Sequence, residues 1–274
     1  QHGFTSVLKL MISKGLHNEA YLYFESAKQH LAARNEMVAP TMWFQMMRCC
    51  TKDKNIEQAR IYMNEAINGR VDASVVVAFT NIVDPPEAER LLQTIYFNKP
   101  SRKYDILRNT PLLVAQYIKV VFGTRGFDDA FKLARVLLPK VIDFSKAIGN
   151  DVVNIAPIQN TLISICIRNK DYKRARNIYK MMKPEHRTIG TYNRMILVCG
   201  KLGDLQTAIN MVKDMVTFRV SIDVNFLYNY FSMFEEAGDG RTGRDQWHYL
   251  YKNVPWVHEY LKLLGQLRNS RNWV

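Results

Sequence analysis

Apolar residues recur along the chain at intervals of three and four, the periodicity of one face of an α-helix. The clearest case lies between residues 158 and 223, where two such helices and a polar turn are followed by a second set of the same kind. Each landmark recurs after 33 residues, as in the pairs Asn160 and Asn193, Cys166 and Cys199, Ala175 and Ala208, and Met182 and Met215. An internal period of about 34 residues predicts a solenoid of helical hairpins.

The turn and the second helix of each copy follow from the same alignment. Residues 169–171 and the pair Gly203-Asp204 interrupt the apolar pattern, and Gly203 suits a positive φ. Ala175 and Ala208 mark where the two helices of a hairpin need to approach closely. A single hairpin cannot bury its apolar stripe, so each is expected to stack on its neighbours.

The phrase that carries the second copy resembles the pentatricopeptide repeat (PPR) family. It consists of Thr191-Tyr192-Asn193, Met195-Ile196, Cys199, Lys201, Gly203-Asp204, Ala208 and Met215. The family's repeat opens on threonine-tyrosine-asparagine and runs through a cysteine and a lysine-x-glycine turn to an alanine on the second helix. The resemblance implies an all-α, right-handed superhelical solenoid of about seven degenerate helix-turn-helix repeats, PPR-like or tetratricopeptide-like.

This pattern divides the chain into three parts. Residues 1–155 are predicted to form degenerate tetratricopeptide- or PPR-like repeats, and residues 156–224 two well-formed PPR repeats. Residues 225–274 are predicted to form a further degenerate repeat and C-terminal capping helices. We call the alanines expected at the close helix contact the slot alanines. They are Ala20, Ala59, Ala88, Ala130, Ala175 and Ala208.

Local sequence signals add four expectations. Residues 75–79 are rich in β-branched side chains that also suit a strand, although the surrounding period favours a helix. Pro139 is expected to end the hairpin at 111–138. Residues 240–243, with two glycines, are expected to expand a turn, and the stretch from Trp247 to Leu267 to form a capping helix pair.

The composition narrows the partners. A net charge of +13 and a pI of about 9.6 favour an acidic partner, namely RNA, DNA or an anionic membrane surface. No apolar run approaches the ~20 residues of a membrane span, so the sequence predicts a soluble protein. A membrane is not among the partners that we expect. The sequence starts at Gln1 rather than Met, so either its start has been removed or the sequence is incomplete. A targeting peptide could have preceded it, and none is visible within it.

The four cysteines are interpreted as packing residues. They form no CxxC pair and no metal-ligand spacing. Cys50, Cys166 and Cys199 each precede a slot alanine by nine residues, which places them in one repeated core position. This use of cysteine fits a reducing compartment.

The strongest charge bias lies in residues 168–201, where ten basic residues stand against Asp171 and Glu185, a net of +8. The basic residues are Arg168, Lys170, Lys173, Arg174, Arg176, Lys180, Lys183, Arg187, Arg194 and Lys201. A solvated helix face usually mixes both signs, so the bias favours contact with phosphates. The alternative is a face that only keeps the protein soluble.

In the PPR family, one base is read per repeat by an asparagine-type residue early in the first helix, together with the repeat's last residue. The resemblance therefore makes Asn160 and Asn193 candidate base readers, with Asp223 as the closing partner of Asn193. That pair resembles the family's uracil-preferring combination; the alternative is that Asn193 only caps its own helix. Other repeats hold Phe44, Val77, Ala115 and Tyr228 at this position, so a long series of read bases is not expected.

No catalytic arrangement is visible. The six histidines are scattered, and there is neither an HExxH motif nor a phosphate-binding glycine loop. We expect no enzyme activity, no catalytic or metal-binding residues, no cofactor and no small-molecule substrate.

The resemblance implies a function in an organellar ribonucleoprotein. Degenerate members with few readable repeats resemble the PPR subunits of mitochondrial ribosomes, which implies a mitochondrial matrix location. The expected partners are RNA, ribosomal RNA in particular, and neighbouring ribonucleoprotein subunits. The alternatives are a stand-alone, sequence-specific organellar RNA-maturation factor and a tetratricopeptide-like protein–protein scaffold.

Overall fold

The computed structural model describes residues 1–97, 102–149 and 153–269, and their regular structure is helical throughout, without a β-strand. The helices are α1 His2–Ser13, α2 His17–Ala32, α3 Pro40–Asp53, α4 Ile56–Asn68, α5 Ala73–Thr80, α6 Pro85–Phe97, α7 Arg102–Arg108, α8 Pro111–Arg125, α9 Phe127–Ala147, α10 Ala156–Arg168, α11 Tyr172–Met181, α12 Ile189–Leu202, α13 Leu205–Thr217, α14 Val224–Glu236, α15 Gly240–Asn253 and α16 His258–Asn269. Short 3₁₀ turns occupy Pro184–His186 and Pro255–Val257. Residues 75–79 are helical, so the strand alternative is wrong.

The chain forms two compact units, residues 1–153 and 154–274. In the first unit, α1, α3, α5 and α8 are the first helices of four hairpins, and α2, α4, α6 and α9 are the second helices. In the second unit, α10, α12 and α14 pair with α11, α13 and α15, and α16 follows. Within each unit successive first helices pack on one another. We call the first helices of the hairpins the first-helix layer and the second helices the second-helix layer. The predicted all-α arrangement of helix-turn-helix repeats is confirmed.

One turn geometry recurs between the two helices of a hairpin. A carbonyl near the end of the first helix accepts a hydrogen bond of 2.9–3.0 Å from the backbone N–H five residues later, which ends the helix. These donor–acceptor pairs are Asn55 to Cys50, Asp171 to Cys166, Asp204 to Cys199 and Asp239 to Phe234. The residues before the donors have positive φ and are Lys54, Lys170, Gly203 and Gly238. Each donor residue then caps the second helix through its side chain, so one short stretch both ends and starts a helix.

The packing predicted for small residues is present. The six slot alanines, from Ala20 to Ala208, are completely buried. All four cysteines are buried and free, and burial raises the pKa of the Cys166 and Cys199 thiols to about 12. A thiol that stays protonated is a poor nucleophile and metal ligand, so these cysteines act as core side chains.

Pro139 does not end its helix, contrary to the sequence prediction. Helix α9 continues through it to Ala147. Leu137, Val141 and Ser145 are all buried, so the face that packs against the unit extends on both sides of the proline. Burial of that face offsets the hydrogen bond that proline cannot donate.

The C-terminal region also differs from the prediction. Residues 240–243 lie inside α15, because Asp239 caps this helix as its counterparts do in other hairpins. Gly243 occupies the slot that alanine fills elsewhere, nine residues after Phe234, and a Cβ there would lie 3.2 Å from the Phe234 Cβ. The two helices expected between Trp247 and Leu267 are the second half of α15 and most of α16. Trp247 belongs to α15, which packs on α14, and α16 is a further first helix that also packs on α14.

Candidate nucleic-acid interface

The first helices of the unit 154–274 share one register. Helices α10, α12 and α14 follow the N-cap residues Ile155, Thr188 and Asp223. The third residue after each cap, Ile158, Thr191 or Phe226, is fully buried. The fifth residue after each cap is Asn160, Asn193 or Tyr228, and each of these reaches the surface in part or fully. The candidate base readers therefore occupy equivalent places in the first-helix layer.

Asn193 and Asp223 are joined by a hydrogen bond. The Asn193 Nδ2 donates to Asp223 Oδ2 at 3.0 Å, while Asp223 Oδ1 accepts from the Phe226 backbone N–H at 2.7 Å. One carboxylate thus caps α14 and holds the asparagine of the preceding repeat. The alternative role for Asn193, capping its own helix, is wrong because Thr188 makes the cap of α12. The pair is therefore fixed in orientation before any ligand arrives.

Asn160 is also held by a hydrogen bond, but it accepts this bond where Asn193 donates one. Its Oδ1 accepts from the Thr191 Oγ1 at 2.8 Å, and Thr191 is itself fixed by a reciprocal capping box with Thr188. Its amide nitrogen has no hydrogen-bond partner within the described part of the chain and is left to donate outward. Sequence reasoning overlooked Thr191; its place three residues after a threonine cap is the signal that could have found it.

The predicted basic residues divide by exposure. Seven of the ten are exposed, namely Arg168, Lys170, Lys173, Arg174, Lys180, Lys183 and Lys201. Arg174 contacts Asp171 in the first turn of its own helix, at 3.3 Å between Nε and Oδ2. Arg176, Arg187 and Arg194 are only half-exposed or less and have partners inside the protein.

Arg187 is a structural residue. Its side chain is 9% exposed and forms an ion pair with Asp214 on α13, at 2.6 Å between Nη1 and Oδ2. Its Nη2 donates to the Met182 carbonyl at 2.8 Å, and its guanidinium lies 4.2 Å from the centroid of the Tyr179 ring. These contacts occupy the group that the sequence prediction assigned to phosphate.

Arg176 links successive second helices. Its Nη1 donates to Asp204, the cap of α13, at 3.1 Å. Partial burial of Asp204 opposes its ionisation, but hydrogen bonds from Thr207 and Arg176 outweigh this and lower its pKa. Arg60, also next to a slot alanine, pairs in the same way with Glu87 of the next second helix. Arg194 donates to the Gly190 carbonyl of its own helix at 2.7 Å.

The candidate base readers and the basic residues of α11 lie on different layers, whereas Arg168, Arg194 and Lys201 lie on first helices. Asn160, Asn193 and Asp223 belong to the first-helix layer. Lys173, Arg174 and Lys180 lie on α11, in the second-helix layer. The described residues contain no cluster of His, Cys, Asp and Glu side chains able to hold a metal ion. None of their helices is both long enough and apolar enough to span a membrane.

The fold and this register define a helical-repeat protein that presents a polar first-helix surface. The family model for the PPR repeat matches residues 160–183 and 190–220. These two segments are similar to the pentatricopeptide repeat, and they coincide with the clearest internal repetition of the chain. No curated protein sequence matches the chain.

The comparison with solved structures finds similarity to pentatricopeptide repeat proteins. The crystal structure of the pentatricopeptide repeat protein PPR10 from maize is 15% identical at a TM-score of 0.32, covering 99% of this chain and 49% of that one. PPR10 in complex with an 18-nt psaJ RNA element is 13% identical at the same TM-score, covering 91% and 53%. The chain spans about half the length of these structures.

Proposed function

We propose that this chain is a non-catalytic RNA-binding protein whose first-helix layer contacts single-stranded RNA through Asn160, Asn193 and Asp223. The observation that carries the proposal is the hydrogen-bonded Asn193–Asp223 pair, set in register with Asn160. Two orienting hydrogen bonds hold the carboxylate, so little side-chain freedom is lost when a base binds. The net charge of +13 supports an anionic partner.

The chemistry of the pair suits uracil. Uracil presents a carbonyl acceptor beside an N–H donor on its pairing edge. An amide N–H from Asn193 can meet the carbonyl, and the Asp223 carboxylate has acceptor capacity left for the N–H. Asn160 offers an amide donor at the next equivalent position, and Tyr228 an exposed ring that can stack on a base. Only a short segment is read in this way.

The exchange Asp223→Asn tests the pair. Asparagine caps a helix as well as aspartate does, so the hydrogen bond from Phe226 is retained. The new side-chain NH2 group, however, faces the Asn193 NH2 group, and the carboxylate oxygen that would accept from the uracil N–H is lost. We expect preference at a single nucleotide to relax, at a cost of about 1–3 kcal/mol there. Fluorescence anisotropy with single-stranded oligonucleotides that vary one position at a time measures this.

Asp239→Asn is the matched control, because it makes the same exchange at the cap of a second helix. It is expected to leave the preference unchanged. Equal loss with Asp223→Asn for every oligonucleotide, or no loss with any, would show that the pair does not read a base.

We further propose that the protein is a structural subunit of a mitochondrial ribosome or a related organellar ribonucleoprotein, in the matrix, with ribosomal RNA and neighbouring subunits as partners. Few equivalent positions carry a base-reading side chain: Phe44, Val77 and Ala115 stand where Asn160 and Asn193 do. Such a protein recognises RNA mostly through phosphate and shape.

Sedimentation of the native protein tests this role. We expect it to travel with a large ribosomal particle and to be released by nuclease. The Asn193→Ala variant should travel with the particle too, since it loses one contact among many. Migration as a free monomer, or with one messenger RNA, would favour a stand-alone maturation factor. Nuclease-resistant association with other proteins would favour a scaffold.

A further inference from the structure

We propose that the second-helix layer of the unit 154–274 carries a second RNA surface, formed by α11 and α13, that binds the phosphate backbone of double-helical RNA. The proposal rests on the proposed function, in which RNA is the partner. It gives RNA a second contact surface, separate from the base-reading residues.

Helix α11 presents one exposed polar line. Lys173, Asn177 and Lys180 follow one another at intervals of four and three residues, and all three are exposed. Their spacing places them on one face, with about 10 Å between the Cα atoms of the two lysines. Neither lysine has an ion-pair partner among the described residues. Lys170, in the turn before the helix, and Lys183, after it, extend the cationic line at both ends.

Helix α13 repeats this line beside α11. The ion pair Arg176–Asp204 joins α11 to the cap of α13, and Arg187, in the connection that follows α11, pairs with Asp214 on α13. Counted from the slot alanine, Gln206, Asn210 and Lys213 occupy the places of Lys173, Asn177 and Lys180, and they are exposed as well. The acid nearest to them in sequence, Asp214, is engaged by Arg187. The two helices together present lysines and amides to solvent without an unpaired carboxylate.

The unit 1–153 shows that this bias is not general to second helices. The corresponding positions of α2 are Asn18, Leu22 and Glu25, and those of α4 are Glu57, Ile61 and Asn64. Leu22 is 74% and Ile61 50% exposed. Cations do occur at these places in α6, as Arg90, and in α9, as Lys132 and Arg135, so the contrast of α11 and α13 is with α2 and α4, where acids and apolar side chains replace the lysines.

The side chains on α11 fit a duplex better than a single strand. Single strands are held by aromatic platforms on which bases stack, whereas the exposed side chains of α11 are lysine, arginine, asparagine and Met181. Double-helical RNA is recognised through its phosphates and 2′-hydroxyl groups. Lysines donate to the former, and the amides of Asn177 and Asn210 can bond to the latter.

The test is the triple variant Lys173→Glu/Lys180→Glu/Lys213→Glu, compared with Lys9→Glu/Lys14→Glu/Lys140→Glu. The second set has the same charge change on exposed lysines of the other unit. Binding of an RNA duplex of about 16 base pairs is measured by fluorescence anisotropy over a range of salt concentrations. We expect the first variant to lose at least about tenfold in affinity, with a log–log salt slope shallower by about one per lysine. The control set should keep most of the affinity.

Two further measurements separate this surface from the base-reading residues. Single-stranded RNA should bind the first triple variant as it binds the native protein, and should not displace the duplex from the native protein. Asp223→Asn should leave duplex binding unchanged. Displacement of the duplex by the single strand, or equal losses in both triple variants, would overturn the second surface while leaving single-strand binding intact.

The remaining outcomes are also decisive. Failure of single-strand binding alone would contradict the proposed function and leave the duplex surface standing. If the native protein binds phosphatidylserine vesicles through these lysines but does not bind the duplex, the surface is a membrane contact and the proposal is wrong.

Discussion

Replacing Arg187 with alanine is expected to lower the free energy of unfolding by about 2 kcal/mol, between the costs for an exposed and a buried ion pair, because Arg187 is 9% and Asp214 33% exposed. The guanidinium bridges Asp214 and the Met182 carbonyl and lies over the Tyr179 ring. Its loss leaves the Met182 carbonyl and the Asp214 carboxylate without this donor, and water compensates only in part. Urea unfolding followed by circular dichroism measures the change.

Arg174→Ala is the matched control, because it removes an exposed arginine from α11, and its effect is expected to stay within about 0.5 kcal/mol. The same two variants also sort the arginines by function. If Arg187→Ala unfolds at the native urea concentration and instead weakens binding to every RNA, its guanidinium is a phosphate contact, as the sequence prediction had it. Loss of stability with RNA affinity preserved in the folded fraction establishes the structural role.

Arg187 illustrates what the sequence could not provide. Charge bias along residues 168–201 identified a basic region, but the sign of a side chain does not reveal its burial. The partner of Arg187 lies 27 residues away, on the second helix of the next repeat. Only the stacking of hairpins brings the two together. Arg176 was assigned to phosphate for the same reason, although it ties α11 to the cap of α13.

Local turn rules failed where burial opposed them. Pro139 was expected to stop a helix, yet the buried face on both sides of it continues the helix. Residues 240–243 were expected in a turn because glycine favours turns. Gly243 is instead the small residue of the helix contact, beside Phe234. Whether a glycine forms a turn or a close helix contact depends on its position in the repeat. That position is visible only when the hairpins are aligned on their turns.

Features set by a short repeated segment were predictable. Gly203 was expected at positive φ and has φ +63°. The slot alanines were expected at a close helix contact, and all six are fully buried. The resemblance to the PPR family made Asp223 the expected partner of Asn193, and a hydrogen bond joins them. The division between the two layers was harder to predict from the sequence. The period assigns residues to helices, but it does not show which exposed helix faces lie next to one another.

The change Ala208→Leu is expected to destabilise the protein by about 3 kcal/mol through overpacking. Ala208 is completely buried on α13, which packs against α12, so the added carbon atoms must displace side chains or the backbone. Urea unfolding again measures the effect. Gln206→Leu places the same side chain two residues earlier on the exposed face of the helix, and its effect is expected to stay within about 0.5 kcal/mol.

A second substitution tests whether Ala208→Leu destabilises the protein because the side chains at positions 199 and 208 share one limited volume. In the hairpin of α14 and α15 the large Phe234 is matched by Gly243, where an added Cβ would lie 3.2 Å away. The same register places the smaller Cys199 opposite Ala208. If the two positions divide one fixed volume, Cys199→Ala should recover part of the stability that Ala208→Leu loses, as contacting residues do not contribute additively. Simple addition of the two losses would mean that the helices separate to admit the leucine. Ala208→Leu unfolding at the same urea concentration as Gln206→Leu would mean that they do not approach closely at this slot.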